Sequence, residues 1–99
     1  MRVSDNNNDI PFKSKANCRK FIRILQANVQ CIRNKLLELE HVGESHKIDA
    51  ICVSEHWMTE NEIDLFVPSG YLPASFYCRR EKKNGGSGIF LKSSIKFEV

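Results

Sequence analysis

Residues 49–55, which read DAICVSE, decide the fold of this chain. Five small or apolar residues follow Asp49 in a row, and such a run is typical of a strand that is buried inside a sheet. Glu55 comes directly after the run, so its carboxylate would lie where the strand ends. The stretch therefore predicts a buried strand with an acidic residue at its carboxyl end.

The segment before this strand predicts a second strand and a helix. Residues 21–27 form a short apolar run with β-branched residues, which favours a buried strand, and residues 28–31 read as a turn. Apolar residues then recur at helical spacing up to Gly43, where we predict that the helix stops. The stripe consists of Ile32, Leu36, Leu37, Leu39 and Val42. Strand, helix and strand in this order predict a crossover unit with two parallel strands, and hence an α/β fold.

The segment after Glu55 predicts a short helix and a pair of strands. Residues 59–66 have weak helical character, and Thr59 with Glu62 resembles a capping box. After a turn at residues 68–70 we predict a strand over residues 75–80. A hairpin-type turn at residues 84–86 then leads to a returning strand over residues 87–92.

The length and composition are those of one small domain that is preceded by a polar N-terminal tail. We predict a disordered polar and basic tail over residues 1–20 and a folded part over residues 21–99. The 15 Lys and Arg exceed the 12 Asp and Glu by 3 charges, which permits a polyanionic partner without demanding one. No apolar run approaches the roughly 18–20 residues that cross a bilayer, and no signal peptide is visible. We therefore expect no membrane partner and a nuclear or cytoplasmic protein that is not secreted.

The cysteines and histidines do not predict a zinc site. The four cysteines form no C-x-x-C pair, and the three histidines do not supply the missing spacing. Cys52 lies inside the apolar run and reads as a small core residue. His56 reads as a loop residue.

Two polar side chains stand at predicted strand ends. Asn28 follows the first strand and Glu55 follows the second. Functional groups of α/β folds gather at such ends because the loops there share one rim of the sheet. Glu55 would suit a hard cation such as Mg²⁺ or Mn²⁺, and the Asn28 amide would orient a phosphate. Read more simply, Glu55 is a solvated loop residue, and Asn28 tolerates the backbone of a turn.

The motifs resemble those of the endonuclease/exonuclease/phosphatase family. Residues 24–29, ILQANV, with residues 33–35, RNK, resemble its opening motif, and residues 49–57, DAICVSEHW, resemble its second. The later context resembles the branch carried by non-LTR retrotransposons. It comprises Trp57, Gly70-Tyr71, Arg79-Arg80 and residues 85–91, GGSGIFL. The resemblance covers about residues 22–93, and the order and spacing of the motifs carry it.

The resemblance implies a fold and a reaction. It implies the first part of a four-layer α/β/β/α sandwich. It also implies a DNA-nicking endonuclease in which Glu55 binds catalytic Mg²⁺ (or Mn²⁺) and Asn28 organises the phosphate. Arg79 and Arg80 would contact the DNA backbone, although they can equally be read as exposed arginines at a strand end. In a full-length element, a covalently linked reverse transcriptase would use the nicked strand's 3′-hydroxyl as its primer.

The sequence departs from the family after its first motifs. The family's later tyrosine, its Asp-x-Asn motif, a further Asp and its Ser-Asp-His type motif have no counterpart after the matched motifs in these 99 residues. His56 does not match the catalytic histidine. We therefore predict that the chain is a truncated copy that does not cleave DNA alone and exposes an apolar sheet face. Two alternatives stay open: a non-catalytic nucleic-acid-binding or interaction half-domain, and a phosphatase of the same family.

Overall fold

A computed structural model describes residues 2–5, 10–13, 19–79 and 84–95. The chain is a mixed α/β domain built on a five-stranded sheet and a separate two-stranded one. The strands are β1 (Arg2–Asp5), β2 (Ile10–Lys13), β3 (Arg19–Ile22), β4 (Ile24–Asn28), β5 (Ala50–Ser54), β6 (Tyr71–Tyr77) and β7 (Ser87–Lys92). Helix α1 spans Leu36–Ser45, and two 3-10 helices span Ile32–Asn34 and Glu60–Leu65.

The predicted crossover unit is confirmed. β4 and β5 are adjacent and parallel, with Asn28 opposite Ser54, and α1 connects them. β7 pairs antiparallel with β5, and β6 pairs antiparallel with β7, so the large sheet has the order β1-β4-β5-β7-β6. The returning strand, β7, has the bounds that the sequence predicted. The capping box also forms, because the Thr59 N–H donates to Glu62 Oε1 at 3.0 Å.

The core lies between one face of the sheet and the helical segment. Leu25, Ile51 and Phe90 lie in one register row across β4, β5 and β7, and all three are fully buried. Ile32 and Leu39 cover them from the helical side. Each such side chain contributes about 1.5–3 kcal/mol when buried. This row therefore fixes which face of β5 points inward, and with it the direction in which the chain leaves the strand.

The predicted helix stop at Gly43 is wrong. Gly43 is buried within α1, which continues to Ser45, and Lys47 is the residue that takes the left-handed backbone, with φ 52°. A Cβ at Gly43 would lie 2.7 Å from the Tyr71 hydroxyl, so the glycine makes room for a tyrosine rather than ending the helix. Leu37, which the sequence placed in the apolar stripe, is 80% exposed.

The first predicted strand is divided in two. Arg23 separates β3 from β4: its N–H donates to Asp49 Oδ2 at 2.9 Å, and its carbonyl accepts from the Asp49 and Ala50 N–H groups. β6 begins at Tyr71 and ends at Tyr77, earlier at both ends than predicted. A bulge between Pro73 and Ser75 accommodates a proline in this edge strand.

Short strands lie within residues 1–20, for which the disordered tail stays a prediction. β1 pairs antiparallel with the outer edge of β4, and β2 pairs with β3. The edge of a strand offers backbone N–H and C=O groups whatever its side chains are, so a polar segment can join a sheet that it does not help to fill. Residues 1, 6–9 and 14–18 lie outside the described residues.

The face of the sheet opposite α1, here called the open face, carries no charged side chain on strands β4–β7. Its in-register rows are Ile24-Ala50-Leu91-Leu72, Gln26-Cys52-Ile89-Ser75 and Asn28-Ser54-Ser87-Tyr77. Leu72 is 54% exposed and Ile89 is 38% exposed. None of the described helices has the length and apolar character that crossing a membrane requires.

Candidate functional site

The structure brings Asn28 and Glu55 to the same edge of the sheet. Asn28 is the last residue of β4, its register partner on β5 is Ser54, and Glu55 is the next residue. Because the two strands are parallel, their carboxyl ends meet at one edge. Both side chains are half-buried. The two residues that the sequence singled out are thus neighbours at the ends of paired strands.

The amide oxygen of Asn28 is a buried acceptor that lacks a partner. Oδ1 is shielded from solvent, and no donor among the described residues reaches it. Leaving such an acceptor unpaired costs about 1–3 kcal/mol, and native structures rarely carry that cost without a reason. An oxygen in this state would be satisfied by a cation or by a donor from a ligand.

Residues 55–57, here called the Glu55 turn, have a strained backbone. Glu55 and Trp57 both have φ 58°, in the left-handed region that side chains other than glycine rarely adopt. Such residues cost on the order of 1–3 kcal/mol each, and they persist only where the surroundings enforce them. Strain of this kind clusters at functional sites, and here it falls on the residue that the sequence chose as a metal ligand.

Backbone hydrogen bonds hold the Glu55 turn on two sides. On one side, the Glu55 N–H donates to the Gly86 carbonyl at 2.8 Å, and the Trp57 N–H donates to the Gly85 carbonyl at 3.0 Å. On the other side, the loop after β4 donates to the turn through the Cys31 N–H, at 2.9 Å from the Glu55 carbonyl. The turn is therefore fixed between the loop after β4 and the loop before β7.

Trp57 contacts the candidate ligand directly. Its indole Nε1–H donates to Glu55 Oε2 at 3.0 Å. The indole is half-buried. The sequence used Trp57 only as part of the resemblance, and a spacing of two residues gave no signal that the indole and the carboxylate would meet.

His56 is a wholly buried residue of this turn, which the sequence interpretation as a loop residue did not foresee. Nδ1 accepts from the Met58 N–H at 2.9 Å, and the ring is enclosed. Because Nδ1 is an acceptor, Nε2 carries the proton and donates to the Tyr77 carbonyl at 2.9 Å. The imidazole therefore joins the Glu55 turn to the end of β6 in a neutral, single tautomer. Both its nitrogens are engaged within the protein, so it is a structural group.

Gly85 and Gly86 do more than turn a hairpin. Both have a left-handed backbone, with φ 93° and 86°, and both give their carbonyls to the Glu55 turn. A Cβ at Gly86 would lie 2.4 Å from the His56 ring. The Arg79 side chain packs against Gly85, where an added Cβ would lie 2.3 Å from the arginine Cδ. Arg79 is exposed to solvent. Arg79 thus lies beside the turn, whereas Arg80 lies outside the described residues.

An ion pair braces the loop after β4. Arg33 pairs with Glu62 of the second 3-10 helix, and its guanidinium lies 5.5 Å above the Phe66 ring. The Arg33 guanidinium, together with the Thr59 donors, lowers the pKa of Glu62 to about 2. Arg33 also donates to Cys31 Sγ at 3.7 Å. Arg33 is therefore committed to a structural contact that orders the segment next to Asn28.

The residues at the strand ends suit a small hard cation. Glu55 offers carboxylate oxygens and Asn28 an unpaired amide oxygen, and Mg²⁺ is often held by one or two carboxylates together with water and substrate phosphates. Within residues 19–79 and 84–95, no three His, Cys, Asp or Glu side chains form a metal-binding cluster. Cys52 is half-buried on the open face, and burial raises the pKa of its thiol.

Comparison with protein-family models and with curated proteins gives no match for this chain.

Proposed function

We propose that the chain is the N-terminal part of an Mg²⁺-dependent (or Mn²⁺-dependent) DNA-nicking endonuclease domain of the endonuclease/exonuclease/phosphatase type, of the kind that non-LTR retrotransposons carry. One observation carries the proposal. The partnerless buried oxygen of Asn28 lies at the same sheet edge as the Glu55 carboxylate, on a turn whose backbone is strained. An unpaired oxygen and an oriented carboxylate at the ends of two paired strands offer the kind of oxygen ligands that a hard cation prefers.

Each residue has a distinct role in this proposal. Glu55 holds the cation, and the Asn28 amide orients it and the phosphate beside it. Mg²⁺, when bound, neutralises the charge that develops on the phosphate during hydrolysis. Arg79, exposed next to Gly85, contacts the DNA backbone, and we assign the same role to its neighbour Arg80.

We propose further that these 99 residues do not hydrolyse DNA by themselves. Water must be activated by a general base within hydrogen-bond reach. The neutral His56 ring is bound on both nitrogens, so it cannot serve. The resemblance assigns acid and base groups to motifs that this sequence does not contain, and in a full-length element those motifs and the reverse transcriptase would complete the reaction.

The first test measures Mn²⁺ binding through the decrease in the EPR signal of the free ion. We expect Glu55→Gln to abolish the site and Glu44→Gln, an exposed carboxylate on α1, to leave it unchanged. Equal binding by wild type and Glu55→Gln would contradict the proposed site. The companion assay is plasmid nicking with Mg²⁺, in which we expect no activity; nicking that disappears in Glu55→Ala would show that the chain is active alone.

Asn28→Ala gives a second readout that separates function from folding. Removing the unpaired oxygen relieves a cost of about 1–3 kcal/mol, so we expect the variant to be as stable as wild type or more stable in urea unfolding, while Mn²⁺ binding weakens. A residue that served only the fold would show the opposite result, with lower stability and unchanged Mn²⁺ binding.

DNA binding tests the alternative of a non-catalytic module. Affinity that falls steeply with salt, and that is the same with and without Mg²⁺, would favour that alternative. Affinity that rises with Mg²⁺ in wild type and not in Glu55→Gln would support the endonuclease proposal.

A further inference from the structure

We infer that Trp57 is the positioning residue for the Glu55 carboxylate, and the inference rests on the proposed role of Glu55 as a metal ligand. The indole Nε1–H donates to Glu55 Oε2 at 3.0 Å from two residues along the chain. The two left-handed residues, both with φ 58°, turn the backbone so that the indole and the carboxylate meet. The strain of the turn and the contact between these side chains are thus parts of one arrangement.

Hydrogen bonds fix the backbone of the Glu55 turn, so the torsions of the Glu55 side chain are what another contact must restrain. The carbonyls of Gly85 and Gly86 accept backbone hydrogen bonds from the turn and the Cys31 N–H donates one to it, while His56 anchors the turn to the end of β6. A free glutamate side chain loses much of its rotamer freedom when a cation orders it. The indole contact restrains it before any cation arrives. Groups that orient a ligand in this way typically change metal affinity by about 10–100-fold.

The chemistry of the indole suits this role. Its N–H is a donor only, so it cannot bind a cation itself. A carboxylate has two oxygens with about four acceptor positions, and one indole donor occupies a single position. The contact therefore sets the direction of the carboxylate and leaves acceptor capacity for the cation.

The hydrogen bond can be observed without metal, because Trp57 is the single tryptophan and gives one indole N–H resonance in a ¹H–¹⁵N spectrum. We expect Glu55→Ala to shift this resonance upfield and to accelerate its exchange with water by roughly tenfold, as the loss of a charge-assisted hydrogen bond implies. Glu44→Gln is the matched control and should leave the resonance in place. An indole resonance that is the same in Glu55→Ala and in wild type would overturn the inference.

The positioning role is then measured with Trp57→Phe, which keeps an aromatic ring and removes the donor. We expect Mn²⁺ affinity, read by EPR, to fall by about tenfold or more while the thermal unfolding midpoint changes little. Mn²⁺ affinity equal to that of wild type would overturn the inference even if the midpoint fell, because the indole would then serve only packing.

The two proposals fail in different ways. If wild type binds no Mn²⁺ while the indole resonance responds to Glu55→Ala, the metal site of the proposed function is refuted, and the resonance alone supports Trp57 as the group that orients Glu55. If wild type binds Mn²⁺ through Glu55 and Trp57→Phe binds it equally well, the site stands and the positioning role is refuted. If Trp57→Phe does not fold, the indole resonance of Glu55→Gln is measured instead, because this variant weakens the acceptor and keeps the indole; a resonance that does not shift would overturn the inference.

Discussion

Gly43→Ala tests the interpretation that this glycine makes room for Tyr71. In an exposed helix interior, alanine is more stable than glycine by about 0.8–1.0 kcal/mol. Here the new Cβ would lie 2.7 Å from the Tyr71 hydroxyl and 3.2 Å from the ring, so the tyrosine must move. Its hydroxyl donates to the Ile48 carbonyl at 2.6 Å, and both groups are buried. Losing that bond costs about 1–3 kcal/mol, and overpacking costs about another 1–3 kcal/mol.

These opposing effects give a net loss of about 1–5 kcal/mol for Gly43→Ala in urea unfolding at 25 °C. The sharper test uses the Tyr71→Phe background, in which the closest atom is gone and ring atoms at 3.2 Å remain. There the same change should cost far less, and it becomes neutral if the ring shifts by a few tenths of an ångström. Gly43→Ala that stabilises the wild-type protein, or that costs the same in both backgrounds, would refute the interpretation that Gly43 makes room for Tyr71.

Three further predictions concern the turns, the ion pair and the open face. Gly86→Ala should destabilise the protein by about 1–3 kcal/mol more than Gly70→Ala, because the two backbones have nearly equal φ but only Gly86 faces the His56 ring; equal losses in urea unfolding would remove the steric explanation. Glu62, whose folded pKa of about 2 lies below its unfolded value, stabilises the fold above about pH 4.5 and loses this contribution as pH falls toward 2; Arg33→Met should flatten that part of the stability profile, and an unchanged profile would contradict the ion pair. Ile89→Lys places a charge on the apolar open face, so it should reduce self-association in analytical ultracentrifugation without lowering the unfolding midpoint. Unchanged self-association would show that the open face is not the surface through which copies of the chain associate.

The central α/β unit could be predicted because its signals are local. The unbroken apolar run before Glu55 can be satisfied only by a strand buried in a sheet, and the helical stripe before it calls for a parallel crossover. The registers of the strands and the hydrogen-bond partners of single residues depend on contacts between distant parts of the chain. Arg23 reads as part of a strand, but its N–H and carbonyl bond to Asp49 and Ala50, and the strand breaks there.

The glycines show that a sequence pattern does not reveal why glycine is needed at a given position. Gly43 and Gly86 read as a helix stop and a hairpin turn, and both are consistent with those patterns in sequence. In the structure the deciding neighbour is distant along the chain, Tyr71 for one and His56 for the other. Gly86 also has a left-handed backbone, as its turn pattern predicts, whereas Gly43 does not. The local pattern therefore explains one of the two reasons for glycine at position 86 and does not explain the glycine at position 43.

The site was predicted in part for the same reason. Asn28 and Glu55 became candidates because strand ends are a general location for functional groups, and the resemblance singled out those two residues. The groups that hold them were missed. The bond from Trp57 to Glu55 depends on two residues adopting a rare backbone, and the bonds of His56 depend on the position of β6. Neither follows from spacing, because each requires a contact that only the folded chain creates.

The distribution of local cost across the domain favours a functional reading of the strand ends. Two left-handed residues, Glu55 and Trp57, at about 1–3 kcal/mol each, directly follow β5, and one unpaired buried oxygen, at about 1–3 kcal/mol, belongs to Asn28 at the end of β4. A turn selected for stability alone would place glycine at positions 55 and 57 and an apolar residue at 28. The burial of the Leu25, Ile51 and Phe90 row, at about 1.5–3 kcal/mol for each residue, is large enough to offset the expense. Local cost beside a carboxylate that an indole holds is what the proposed site for a cation and a phosphate would impose on the fold that carries it.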